Sequence, residues 1–437
     1  MGFFGRKRAP SVPHPRKEPR FDGPLTLERL EQIFQDCVDF TKRPVSLGEG
    51  GACTLTLCYL SGMVKMERVS DYVLRPLAQD EALARCGTPR QAMEEMMGGA
   101  LYNLSAAERT TLDEAAFDLV AGWCLLFFPG ESAVLSLFVG TEEKRSISSP
   151  SNETVLKGSR DAFVESLRTN TSIVRRHLKA PELRIREQVV GRQSVTSVDI
   201  LYIEGLTNPH LVEQVAAQLA DIDIDAVLAT GNIEEYIVPA ARTAFPLVQY
   251  TERSDRFCAG LAEGRVGILI DGLPLGYLAP GVLGDFLQAP QDKSESWLLA
   301  SALTLLRYLC MLGTLLLPAL YVAMVTFHQE MIPTRLALSI IAAKQDVPFR
   351  SVFEVIVLLL AFEILQEAGL RLPQSIGQTV SIIGGLVVGS AAVEAKIISP
   401  AVLIVVAIAG IAGYTMPSQE VAGALRIWRF LLALLAS

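Results

Sequence analysis

Most of what catalysis requires is missing from these 437 residues. Gly48-Glu49-Gly50-Gly51 lacks the Lys-Ser/Thr that lets a glycine-rich loop hold phosphates, and no GxGxxG follows an apolar run. There is no GxSxG elbow. The four histidines (14, 177, 210 and 328) are far apart, and neither CxxC nor HExxH occurs, which leaves no ligand set for zinc. Asp221, Asp223 and Asp225, spaced by two, share one face of an extended segment, as a cation site or as a solvated strand edge; no downstream Gly and Glu complete a calcium loop. The expectation is a protein that is not an enzyme, with no metal and no cofactor.

An apolar leader is missing too. The N-terminus carries charge but no apolar run of about 7–15 residues before a small-residue cleavage site, so the N-terminal part is expected to stay in the cytoplasm. The seven cysteines (37, 53, 58, 86, 124, 258, 310) are odd in number and scattered, which reads as buried thiols in a reducing compartment. A basic footprint is lacking outside the first twenty residues, which set Arg6, Lys7, Arg8, Arg16, Lys17 and Arg20 against Glu18. With four prolines in those first twenty residues, the segment 1–24 reads as a disordered basic tail, either touching anionic lipid or merely solvated. Residues 297–437 carry eight basic and seven acidic side chains, a net of +1; the whole chain is −8, so residues 1–296 carry −9. That balance argues against nucleic acid as a partner.

Charge is scarcest in the last third, and the mean hydropathy of +0.34 comes from there. From Trp297 to Phe327 the only charge is Arg307. Further apolar stretches lie near 351–370, 376–395 and 399–416, and a last one at 424–437 is incomplete as a span and points to a truncated end. A hydrocarbon core of about 30 Å needs roughly 20 apolar helical residues. The fold class expected is an α/β cytoplasmic head of two subdomains followed by an all-α polytopic membrane bundle, with subdomains at 25–145 and 146–290 and the bundle at 291–437.

Within the head, the spacing of Leu27, Leu30, Ile33, Phe34 and Val38 predicts a helix over 25–43. Residues 53–60 alternate as a strand does, and a helical pattern runs on to Leu77. The apolar runs 117–128 and 132–139, joined by Pro129-Gly130-Glu131, read as a hairpin. A helix is expected at 160–178, strands at Ser197–Ile203 and Val266–Ile270, a strand or turn at 222–228, and a helix capped by Asn208 with Pro209 in its first turn. The alternation suggests a βαβ-like second subdomain.

The polar residues inside apolar runs carry the functional information. Glu354, Glu363 and Glu367 sit in or beside the second run; Gln378, Ser381 and Glu394 belong to the third. Intramembrane carboxylates cost several kcal/mol unless they face protein or water, so they mark an ion or proton path or else sit at the interface. Arg307 is the basic residue expected at the depth of Glu363, so either a Glu363–Arg307 pair holds the bundle closed or Glu363 faces a pore. Ser381, Gly385 and Gly389 form a small-residue ladder, and Gly410 and Gly413 thin the next run, as helix packing requires. Pro318 lies inside the first run and is the candidate hinge. Residues 328–350, with Pro333, Arg335, Lys344 and Pro348, read as an amphipathic or re-entrant segment.

Several runs together resemble the A subunits of GerA-type spore-germination receptors. They are Ser151–Gly158, Ala162–Asn170, Leu201–Gly205 followed by Asp221–Asp225, Gln249–Arg253, Glu263–Gly272, Leu317–Thr334, Phe362–Gly369 and Ile376–Gly385. They cover about 150–430 in order; the first 145 residues are similar only in layout. The resemblance implies a multi-pass subunit of the spore inner membrane, with its head cytoplasmic. It also implies a transporter-like B subunit and a lipoprotein C subunit as partners, and a homo-oligomer that forms or gates an ion-conducting path in response to nutrients. A SpoVAF-like spore membrane protein assisting ion release has the same layout. A substrate-binding transporter is the rival class, but it would show paired broken helices in two repeats.

Overall fold

Alternation along short apolar segments builds two sheets, each covered on both faces. The computed structural model describes residues 20–47, 54–80, 83, 86, 88–101, 105–140, 153, 159, 161–227, 235–237, 243–371 and 389–437. The chain divides into two compact units. One closes at Pro280; the other comprises Gly281–Ser437 with Arg242–Leu247.

The first sheet contains β1 (Phe40–Ser46), β2 (Thr54–Leu60), β3 (Ala106–Arg109), β4 (Trp123–Phe127) and β5 (Val134–Phe138), in the order β1-β2-β4-β5-β3, antiparallel throughout. Leu55, Leu57 and Tyr59 of β2 enter one core with Val69, Val73 and Leu77 of a helical stretch at 66–79. Cys58 and Leu60 enter the opposite core with α1 (Leu27–Ile33) and α2 (Leu112–Val120). Thr111 caps α2, accepting the Glu114 N–H. The expected helix over 25–43 is shorter: α1 ends at Ile33, Asp36 takes φ 62°, and β1 begins at Phe40. The left-handed residue breaks the helical period that Val38 appeared to continue.

The second sheet has β6 (Leu183–Val190), β7 (Thr196–Ile203), β8 (Gln249–Thr251), β9 (Val266–Ile270) and β10 (Gly276–Ala279), in the order β6-β7-β9-β10-β8. Every pair is antiparallel, so the expected βαβ-like arrangement is not formed. Val198, Ile200 and Tyr202 pack with α4 (Pro209–Ala220); Leu201 packs on the other face with α3 (Leu167–His177) and α5 (Ser254–Ala262). Helix α3 starts later than expected because Ala162 and Phe163 are extended, bridging Arg253 and bonding the Glu252 carbonyl. Residues 222–227 form irregular backbone with a bend at Asp225, not a strand. Gly267 and Gly276 are required by close approach: a Cβ would lie 2.4 Å and 2.6 Å from the Phe257 ring.

The two sheets are joined edge to edge. Val38 N–H donates to the Ile185 carbonyl at 3.0 Å, and Ile185 N–H to Asp36 at 3.2 Å. Beside this bridge the Arg175 guanidinium donates through Nε and Nη2 to both oxygens of Asp39, at 2.8 and 2.9 Å, each side chain 1% exposed. Nearby Asp199 is fully buried, taking the Thr171 hydroxyl at 2.9 Å. Burial pushes its carboxyl up to about 6, against the opposing pull of Arg168 and Thr171.

The second unit is helical: α6 (Trp297–Thr326), α7 (Thr334–Lys344), α8 (Ser351–Arg371), α9 (Pro400–Gly413) and α10 (Gln419–Leu435). Tyr321 and Val322 of α6, Val355, Leu358 and Leu359 of α8, Val402 and Val406 of α9 and Ala433 of α10 share one core. Among the described residues, α6 alone is long and apolar enough to cross a membrane; α9 is a shorter apolar helix.

Candidate functional site

Charge inside the helical unit is placed by helix ends and helix faces, and each carboxylate meets a different fate. Glu354 stands in the first turn of α8 and is 1% exposed. It accepts the N–H of Ser399, the residue capping α9, at 2.7 Å, and lies 3.6 Å from the Lys344 ammonium at the end of α7. A carboxylate at a helix N-terminus satisfies an orphan donor and the positive end of the dipole. Glu354 therefore neither reaches for water nor stands unpaired; it ties α7, α8 and α9 together. Glu367 and Glu394 are exposed.

Glu363 is the carboxylate held by two cations. Arg429 donates to it at 2.6 Å and Arg426 at 3.3 Å, both from α10. Arg426 and Arg429 are three apart and share a helix face. Arg429 is 5% exposed, and its Nε has no acceptor among the described residues. Two guanidiniums against one carboxylate leave an excess positive charge between α8 and α10.

The expected Glu363–Arg307 pair is not formed. Arg307 instead binds Asp292, with Nη1 to one carboxylate oxygen and Nη2 to the other at 3.0 Å, and also bonds the Leu287 carbonyl at 3.1 Å. Helix α6 begins at Trp297, so Arg307 is close enough to the preceding turn, Pro290–Ser294, to find a partner there. The sequence signal that was missed is the Arg426/Arg429 spacing within the last apolar run.

Pro318 is buried within α6, which continues as one helix through it. One turn earlier, the Thr314 hydroxyl donates to the Ala409 carbonyl of α9 at 3.1 Å. Gly413 faces the same threonine, where a Cβ would lie 3.6 Å away, and a Cβ at Gly389 would meet Leu403 at 3.1 Å. A Cβ at Gly410 would meet nothing within 4 Å among the described residues, so no close helix approach is seen there. Gln378, Ser381 and Gly385 lie outside the described residues.

The head offers no catalytic constellation among the described residues. Asp223 pairs with Arg192 at the surface at 2.7 Å, and no cluster of three or more His, Cys, Asp or Glu side chains suits a metal ion. Cys37, Cys58, Cys86, Cys124, Cys258 and Cys310 are free thiols. Burial pushes Cys58, Cys124 and Cys258 up to about 12, which keeps them protonated and unreactive.

The family model described as Bacillus/Clostridium GerA spore germination protein matches residues 28–437. The chain is 38% identical over 411 residues to the Bacillus subtilis (strain 168) protein called Uncharacterized membrane protein YfkQ, covering 94% of this chain and 79% of that one. It is 37% identical to spore germination protein KA of Bacillus subtilis (strain 168), covering 90% of this chain and 72% of that one. Against spore germination protein GerLA of Bacillus cereus the identity is 34%, with 91% and 80% covered. The crystal structure of the N-terminal domain of the A subunit of the Bacillus megaterium spore germinant receptor GerK3 aligns with a TM-score of 0.47 and 26% identity, over 60% of this chain and 99% of that one.

Proposed function

The chain belongs to the Bacillus/Clostridium GerA family of spore germination proteins, and on that footing we propose that it is the A-type membrane subunit of a nutrient-responsive germinant receptor. In this reading its helical unit is a multi-pass bundle of the spore inner membrane, its head lies in the cytoplasm, and copies assemble to form or gate an ion path. A transporter-like B subunit and a lipoprotein C subunit complete the receptor. The role is non-enzymatic.

The observation that carries the gating part is Glu363 between Arg426 and Arg429. An ion pair in an apolar bundle has two discrete states, made and broken, and the broken one is costly unless water or an ion enters. Such a contact holds α8 against α10 until something offsets that cost. Pro318 in α6 is the place where the longest helix bends most readily, because its ring removes one backbone hydrogen bond.

Spores of a host lacking the chain, complemented with wild type or with Glu363→Gln, decide the matter. Each is exposed separately to amino acids, sugars and nucleosides, and potassium release is followed. A receptor subunit predicts loss of response to one nutrient class on deletion, and a changed release threshold for Glu363→Gln. Uniformly slowed release with every nutrient would favour the ion-release accessory role instead. No change under any nutrient would refute both.

A further inference from the structure

The charges that meet between α8 and α10 do not cancel. Glu363 takes one N–H from Arg426 and one from Arg429, and among the described residues it is the acid that both arginines reach. The sum is +1. The stretch 372–388 that follows α8 contains no acid and no base, so it leaves that sum unaltered. A guanidinium cannot shed its proton to escape an apolar site. Arg429 is 5% exposed, and its Nε has no acceptor among the described residues. A buried charged donor left without an acceptor is costlier than a neutral one, and it marks a place where a negative group is missing.

The cluster is open on one side. The side chains of Glu363 and Arg426 are 20% and 26% exposed. One turn before Arg426 on the same face of α10 stands Gly423, where a Cβ would meet nothing within 4 Å among the described residues, so there is room beside the guanidinium. The sequence neighbours are apolar: Leu360 one turn before Glu363, Ile364 just after it and Ile427 just after Arg426 are each more than half exposed. One missing negative charge is supplied by a monovalent anion, whereas a phosphate dianion would overshoot. The paired N–H groups of a guanidinium match the two coplanar oxygens of a carboxylate better than a spherical halide. The apolar neighbours suit a short hydrocarbon tail.

We infer that α8 and α10 form a binding site for a small monocarboxylate. Its oxygens take the Arg429 Nε and the N–H groups of Arg426 that Glu363 does not use. Bound there, it brings the charge sum to zero and adds to the hold of α10 on α8. The site deepens the gating reading and rests on it for the apolar surroundings that make an uncancelled charge costly.

The full chain, purified in a non-ionic detergent, is titrated with sodium acetate or sodium chloride against a methanesulfonate background at constant ionic strength. Line broadening of carbon-13-labelled acetate reports binding, and the unfolding temperature is followed alongside. The expected result is saturable acetate binding with a raised unfolding temperature, and a weaker effect of chloride. Arg426→Gln brings the sum to zero and should abolish binding, while the anion-free protein still unfolds cooperatively. Glu363→Gln removes the competing negative charge and should tighten binding about tenfold. The double variant, again at +1, should bind as the wild type does. Acetate acting no more strongly than chloride, undiminished binding by Arg426→Gln, no tightening in Glu363→Gln, or failure of the double variant to regain binding overturns the site. Absent binding with an intact nutrient response in spores sinks the site alone; normal binding without any nutrient response sinks the receptor reading and leaves the site.

Discussion

Removing one member of the Asp39–Arg175 pair should weaken the head far more than any surface change. Both side chains are 1% exposed and meet through two hydrogen bonds of 2.8 and 2.9 Å, one from each side of the junction between the two sheets. Among the described residues Arg175 Nη1 has no partner, so the remaining bonds carry the compensation for burying this charge. Burial draws the guanidinium's proton affinity down, but Asp39 and Cys37 more than offset it and Arg175 stays charged. Arg175→Met leaves a bare carboxylate, and Asp39→Ala leaves a guanidinium whose partner among the described residues is the Cys37 thiol, 3.5 Å away. Stripping one partner from a buried pair costs about 3–5 kcal/mol. A domain stability of roughly 5–15 kcal/mol makes that a large fraction, and the unfolding temperature should fall by roughly 10 °C. A fragment spanning residues 20–280 would be unfolded by heat and by urea, with Arg192→Ala as the control. Arg192 and Asp223 are 69% and 68% exposed, and such a pair is worth under about 1 kcal/mol. The double replacement of Asp39 by Ala and Arg175 by Met should lose less than the sum of the two singles, because neither charge is then left bare. If Arg175→Met costs no more than Arg192→Ala, the pair does not hold the junction and the reasoning fails.

Four further outcomes are expected. Asp199 in the folded head titrates near 6, above the unfolded value of about 3.9, so its contribution to stability is full below about pH 4 and is lost as pH rises through 6. The loss is at most about 3 kcal/mol; Asp199→Asn should flatten the change in unfolding temperature between pH 4 and 7, and an unaltered slope would count against the assignment. Gly267→Ala should destabilise the head by about 1–3 kcal/mol in urea unfolding, because the new methyl meets the Phe257 ring at 2.4 Å. Glu354→Ala should lower the yield of folded full chain and raise protease access to the 396–400 segment, since the α9 N-terminus loses its acceptor. Arg429→Gln should reproduce the altered ion-release threshold of Glu363→Gln, and the double variant should be no worse than either single; additive defects would mean the two residues act separately.

Local signals were sufficient wherever a residue's own neighbours decide its conformation. The alternation at 53–60, the strand at Ser197–Ile203, the apolar run at Val266–Ile270, the Pro129-Gly130 turn and the Asn208-Pro209 helix start are of this kind, and each appears in the fold within a residue or two. The length and apolarity of α6 and the presence of Glu363 among apolar residues are also readable directly. Other features depend on distant chain. Leu183–Val190 is rich in charge and carries no strand signal; it is a strand because β7 pairs along its length and residues 36–38 cover its other edge. The antiparallel order of the second sheet is set by which edges meet, and alternation of strands and helices does not encode that. Partner choice is the sharpest case. A carboxylate at 363 and a cation at 307 suggest a pair by depth alone, but charge has no direction in a sequence. Packing of α8 against α10 brings Arg426 and Arg429 to Glu363 from more than sixty residues away, while Arg307 takes Asp292 from the turn just before its own helix. Coulomb attraction falls with distance and rewards whichever opposite charge the backbone delivers first within hydrogen-bond reach, and only the tertiary structure determines which one that is.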